Sequence, residues 1–168
     1  GKAATAIISA ARANVPILMS AGRTPVTEEG QLGSRDLHIH WAQESFDQAA
    51  MLREYVKWDY ELRMPAQVES VVDRALELMQ AEPRGPVYLT LPREVLAANP
   101  GALTITSPPR RQVSSERFPD PARVDEAARI LARAERPLIL VSAAGIDRRA
   151  VDGLIALADR LERTGDIT

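Results

Sequence analysis

The residues best suited to chemistry gather in one stretch, Gly22 to Glu44. It holds both histidines of the 168-residue chain, His38 and His40, together with Arg23, Arg35, Asp36, Trp41, Gln43 and Glu44. On an extended segment His38 and His40, two apart, would point to the same face. Such a pair could line a substrate pocket as neutral or proton-shuttling imidazoles, since histidine titrates near neutral pH. Zinc would need a third protein ligand. The chain has no cysteine, and Asp36 is the only close carboxylate, so no metal site is assigned. Hydrogen-bonded loop histidines are the other reading. Arg23 could hold an anionic substrate or pair with Glu28 or Glu29. Gln43 and Glu44 could cap a helix beginning near Ser45.

The elements that would position this stretch follow from the apolar pattern. Residues Ala3 to Ala13, rich in Ala and Ile, predict a close-packed helix stopped by Asn14. Val15 to Ser20 predicts a short strand ending at Ala21-Gly22, with Gly22 serving backbone geometry. In open parallel sheets ligands sit beyond the carboxyl ends of strands, which is where the Gly22–Glu44 stretch begins. A loop of this length in a compact domain is usually functional or disordered. Leu37, Ile39 and Trp41 are expected to anchor it. Ser45 to Arg53 predicts a short helix with Phe46, Ala49, Ala50 and Leu52 inward. Tyr55, Val56, Trp58 and Tyr60 form a β-favouring set between Glu54 and Leu62, with the aromatic rings read as core and subunit interface. Pro65 suits the first turn of a helix. Val68, Val71, Val72, Ala75, Leu76 and Met79 recur at helical spacing to about Ala81.

Val87 to Pro92 predicts the central strand. Pro86 belongs at its entry and Pro92 at its end, because proline cannot donate to a ladder. A continuous apolar run between turn formers suits a strand covered on both faces of a parallel sheet. The fold class is therefore α/β, a mostly parallel sheet flanked by helices. Prolines then crowd Asn99 to Pro121, which predicts a linker held by Leu103, Ile105 and Phe118. Asp120-Pro121 reads as a helix start, with Val124, Ala127, Ala128, Leu131 and Ala132 inward. Leu138 to Val141 predicts a strand, Ser142 to Gly145 a turn, and Asp147 to about Arg163 a helix, the first βα unit of a second, Rossmann-like domain. The Ser142–Gly145 turn could cradle a phosphate but lacks the Gly-x-Gly-x-x-Gly pattern.

Composition narrows the function classes. The formal net charge of −2 gives no basic field for nucleic acid. No apolar run approaches the roughly 20 residues that span a bilayer. The first residues lack the basic, apolar and cleavage regions of a signal peptide, and a cytoplasmic location is expected.

Strand and Gly22, long loop ending Trp41-Ala42-Gln43-Glu44, helix, Gly85-Pro86-Val87-Tyr88-Leu89-Thr90-Leu91-Pro92, proline-rich linker and Arg136-Pro137-Leu138-Ile139-Leu140-Val141 follow in an order that resembles thiamine diphosphate-dependent enzymes of the acetolactate synthase type. Gly85 to Pro92 resembles that family's Gly-Pro-Val-x-[ILV]-x-[ILV]-Pro signature. The resemblance implies the later part of a pyrimidine-binding domain at residues 1–98, a linker at 99–120 and the start of a central domain at 121–168. It implies thiamine diphosphate and Mg²⁺ in the intact enzyme, a 2-keto acid substrate, and a homodimer or homotetramer. Gln43 and Gly22 then fall near the cofactor, and His38, His40 and Arg23 near the substrate. The family's activating glutamate would precede Gly1, and its Gly-Asp-Gly metal motif is absent here. The chain therefore reads as a piece of a longer enzyme, inactive alone and with no catalytic residue of its own. Decarboxylation, carboligation and hydrolysis of activated ketones stay open. So does a non-catalytic binding or assembly module that takes no thiamine diphosphate.

Overall fold

The computed structural model describes residues 2–103, 105 and 118–165. They fall into two compact units, Gly1–Glu116 and Arg117–Thr168.

The first unit is built on a three-stranded parallel sheet in which the last strand in sequence lies in the middle. Its strands are β1 (Leu18–Arg23), β2 (Trp58–Glu61) and β3 (Val87–Pro92). Leu18 and Trp58 both register with Val87, and Ala21 and Glu61 both with Thr90. The central strand has the boundaries its prolines predict. Pro86 and Pro92 are fully buried at its two ends.

Alternation along β3 serves two cores. Val87 and Leu89 face the helix α3 (Val68–Gln80), whose Ala75 is fully buried against them, with Leu18, Trp58, Tyr60, Val71 and Val72 around. Tyr88 points the other way and packs with Ile7 of α1 (Lys2–Arg12), Ala49 and Leu52. Burial of an aliphatic side chain the size of Ile7, Val87 or Leu89 contributes about 1.5–3 kcal/mol relative to exposure. The Trp58 and Tyr60 rings, two residues apart on one face, stack with centroids at 5.3 Å. The strand order leaves both β1 and β2 as edges. Asn14 ends α1 in the left-handed region, φ 53°, which asparagine tolerates better than most residues.

Several expectations are corrected. β1 begins at Leu18 rather than Val15 and runs on through Gly22 to Arg23. The segment expected as a helix over Ser45–Arg53 is instead two 3₁₀ turns, Ala49–Met51 and Arg53–Tyr55. A tighter winding changes which residues face inward. Ala49 and Leu52 are buried, but Ala50 is exposed and Phe46 is 99% exposed. A further helix, α4 (Arg93–Ala97), leaves β3 directly and was not expected. The linker expected over 99–120 lies largely outside the described residues. Of its expected anchors, Leu103 and Ile105 are exposed and Phe118 falls in the second unit.

In the second unit α5 (Pro121–Arg133) starts as expected, with the Ala122 amide donating to the Asp120 carboxylate at 2.9 Å. The last helix, α6, spans Arg148–Gly165 after a 3₁₀ turn at Ala144–Ile146. Leu138–Val141 is not a strand, and Leu138, Leu140 and Val141 are exposed. A strand needs a ladder partner, and no second extended run pairs with this one among the described residues. For the same reason the α5 face expected to turn inward stays exposed apart from a partly covered Leu131. No helix among the described residues is long and apolar enough to cross a membrane.

Candidate functional site

The carboxyl ends of the three parallel strands carry the charged and polar side chains Arg23, Glu61 and Thr90. By register, all three project from the sheet face that also bears Tyr88. Arg23 reaches across β3 and its guanidinium donates to Glu61, with both side chains largely covered. This corrects the expected pairing with Glu28 or Glu29. The partner is set by the sheet: Arg23 ends one outer strand and Glu61 the other. Beside them Gln48 donates to the Gly22 carbonyl at 3.0 Å and to the Tyr88 hydroxyl at 2.8 Å, tying the loop to two strands. A cavity of about 280 Å³ opens here, lined by Arg23, Gln48, Arg53, Asp59, Glu61 and Thr90 among others. Arg53 bridges Asp47 and Asp59. The bonds to Asp47 and then Asp59 raise its pKa further above the ordinary arginine value.

The loop after β1 is held by polar bonds, not by the apolar anchors expected of it. Leu37, Ile39 and Trp41 are 58%, 42% and 48% exposed. What seats the loop is α4. Glu94 is buried and accepts from the Thr27 amide at 2.7 Å and the Thr27 hydroxyl at 2.6 Å. Burial pushes its carboxyl up, but the bonds from Thr27 win and hold it below the usual carboxylate range. Arg93 donates to Asp36 at 2.8 Å, which keeps Asp36 acidic. Gly33 has φ 92°, and a Cβ there would stand 3.1 Å from the Arg93 carbonyl oxygen and from the Glu94 Cα. Only glycine accepts both that conformation and that approach. Farther along, Arg35 forks onto Glu44 at 2.9 and 2.7 Å and lies over the Trp41 ring at 5.6 Å.

The loop holds a short helix, α2 (Ile39–Ala42), with His38 at its N-terminal boundary and Gln43 at its C-terminal boundary. The extended geometry that would point both histidines to one face is therefore absent. His40 is largely covered, its Nδ1 3.3 Å from the Asp36 carboxylate and its Nε2 3.4 Å from the Arg93 guanidinium. His38 is exposed. Gln43 caps no helix near Ser45; its backbone amide closes α2 on the Ile39 carbonyl, and its side chain is exposed. Gly22 lies inside β1, and a Cβ there would approach nothing nearer than the Leu91 carbonyl oxygen at 4.0 Å. Sequence reasoning missed Glu94, Thr27, Gln48 and Glu61, whose partners lie far along the chain. Among the described residues no three His, Asp or Glu side chains gather into a metal cluster.

These features define a parallel α/β unit with a polar loop seated at the carboxyl ends of its strands. No protein-family model matches the chain. It is 32% identical over 116 residues to a sulfoacetaldehyde acetyltransferase of Rhodobacter capsulatus, a match covering 69% of this chain and 19% of that protein. It is 30% identical over 116 residues to a benzoylformate decarboxylase of Pseudomonas aeruginosa, covering 68% of this chain and 22% of that protein. A solved thiamine diphosphate-dependent 4-hydroxybenzoylformate decarboxylase from Rhodococcus jostii shares the fold over 95% of this chain and 28% of its own, with a TM-score of 0.72 at 20% identity. The chain belongs to the thiamine diphosphate-dependent enzymes. It spans about a fifth of the length of each of these two relatives, 19% and 22%.

Proposed function

We propose that this chain is part of a thiamine diphosphate-dependent enzyme that acts on 2-keto acids by decarboxylation or carboligation. The observation that carries the reading is the 116-residue match to benzoylformate decarboxylase, a protein named for cleaving a 2-keto acid. Residues 1–98 are then the later part of the pyrimidine-binding domain, 99–120 a linker and 121–168 the opening of the central domain. The enzyme is a cytoplasmic homodimer or homotetramer.

The loop fits a supporting role toward the cofactor. The exposed side-chain amide of Gln43 makes no hydrogen bond among the described residues and offers both a donor and an acceptor. Its neighbour Glu44 is held by the fork from Arg35. Gly22 brings bare backbone to the strand end. When bound, the cofactor supplies the carbanion chemistry. The chain's part is to bind and orient. His38, exposed and with no side-chain partner among the described residues, can meet substrate or exchange a proton. His40 is held by Asp36 and Arg93 and steadies the loop. Arg23 can meet an acid group only in competition with Glu61. Mg²⁺ belongs to the cofactor's diphosphate end, and among the described residues no gathered carboxylates fit it.

The test is turnover by the full-length enzyme over a panel of 2-keto acids, with and without thiamine diphosphate and Mg²⁺. Carbon dioxide release that requires the cofactor, and that weakens in Gln43→Ala, supports the proposal. Cofactor-independent behaviour across the panel favours the non-catalytic module.

A further inference from the structure

We propose that Glu94 is a positioning residue, which sets the register of the loop after β1 and, through it, the place of Gln43. A continuous path of bonds carries the inference. Glu94 Oε1 accepts from the Thr27 amide at 2.7 Å and its hydroxyl at 2.6 Å. The Thr27 hydroxyl also lies 2.8 Å from the Ser34 hydroxyl. The Thr27 carbonyl accepts from the Arg35 amide at 3.1 Å, closing the loop on itself. Arg35 then forks onto Glu44 at 2.9 and 2.7 Å, and Glu44 is the neighbour of Gln43.

Glu94 suits this task because of where it stands. It follows β3 by two residues, so the rigid central strand fixes its backbone. It is only 8% exposed, so its bonds to Thr27 are sheltered from water. A buried carboxylate taking two donors from one residue fixes both the position and the rotation of that residue. Gly33 lies so close to the Arg93 and Glu94 backbone that a Cβ would not fit, so the loop is seated directly on α4. The value of this placement for catalysis rests on the role proposed above for Gln43. The clamp itself does not.

The experiment has two readouts on the full-length enzyme. Glu94→Met keeps the bulk and removes the acceptors; Glu94→Gln keeps one acceptor. Amide hydrogen exchange at Thr27 and Arg35 is expected to quicken about tenfold or more in Glu94→Met and to return most of the way in Glu94→Gln, with Val87 and Leu89 unchanged. In the cofactor-loaded enzyme kcat is expected to fall about 10- to 100-fold in Glu94→Met, as misplacement of an orienting group does, with recovery in Glu94→Gln. Wild-type exchange at Thr27 and Arg35 in Glu94→Met overturns the clamp. If Glu94→Met unfolds the sheet, so that Val87 and Leu89 quicken as well, Thr27→Val decides in its place: quickened exchange at Arg35 with Val87 and Leu89 unchanged supports the clamp, and unchanged exchange at Arg35 overturns it. An enzyme with no cofactor-dependent turnover in its natural form defeats the function reading and leaves the exchange result to judge the clamp.

Discussion

Arg23 and Glu61 meet across the carboxyl ends of the outer strands, above Thr90 of the central one. Neither strand touches the other through its backbone, so this pair closes the end of the sheet by side chains alone. Removing one partner leaves the other largely covered and uncompensated. Arg23→Met is therefore expected to lower stability by about 1–3 kcal/mol, and Glu61→Gln by less, because an acceptor remains. Urea midpoints of the two variants measure the difference. Equal midpoints for Arg23→Met and the natural chain would show that the pair holds nothing.

The two-sided core around β3 makes a packing prediction. Leu89 is 4% exposed beneath α3, and Leu89→Ala should cost about 2–5 kcal/mol through lost burial and the cavity left behind. Ala75 has no exposed surface against the same strand, so Ala75→Leu should also destabilise, by about 1–3 kcal/mol, through overpacking. Thermal or urea unfolding reports both. Tolerance of leucine at 75 would mean the helix stands farther from the sheet than described.

Phe46 gives the opposite expectation. It is 99% exposed, so Phe46→Ser should change chain stability by no more than about 0.5 kcal/mol. If the enzyme is the proposed oligomer and this ring lies in its contact, the same substitution weakens association. Sedimentation of the full-length protein separates the two effects, and a large loss of stability in a monomer would contradict the structure.

Acid should loosen the loop before the sheet. The carboxyl of Glu94 is held below its ordinary value in the folded chain by the Thr27 bonds, against the opposing push of burial. Its contribution is thus complete above the unfolded-state carboxyl pKa and is lost as pH falls through the lower folded value. Asp36, depressed by Arg93, acts in the same direction. Exchange at the Thr27 amide, corrected for its intrinsic pH dependence, should quicken on acidification in the natural chain and lose most of that response in Glu94→Met, the remainder belonging to Asp36. A pH-independent Thr27 in both would remove the carboxylate from the account.

What could be seen in the sequence, and what could not, divides by range. β3 was legible because Pro86 and Pro92 bracket an apolar run that needs cover on both faces. The start of α5 was legible because Asp120 and Pro121 carry their own cap. The bonds seating the loop were not, since Thr27 and Glu94 lie 67 residues apart and neither announces the other. The helix α4 spans five residues, too few for any periodicity to register. Phe46 was placed inward by a helical period that a 3₁₀ segment does not keep. Leu138 to Val141 has a strand's composition and, among the described residues, no strand to pair with.

Cofactor binding is the property that distinguishes a thiamine diphosphate enzyme most directly. Calorimetric titration of thiamine diphosphate with Mg²⁺ should give saturable heat with the full-length enzyme, weakened in Gln43→Ala, and no measurable heat with the 168-residue chain by itself. A full-length enzyme that takes up no thiamine diphosphate would contradict it.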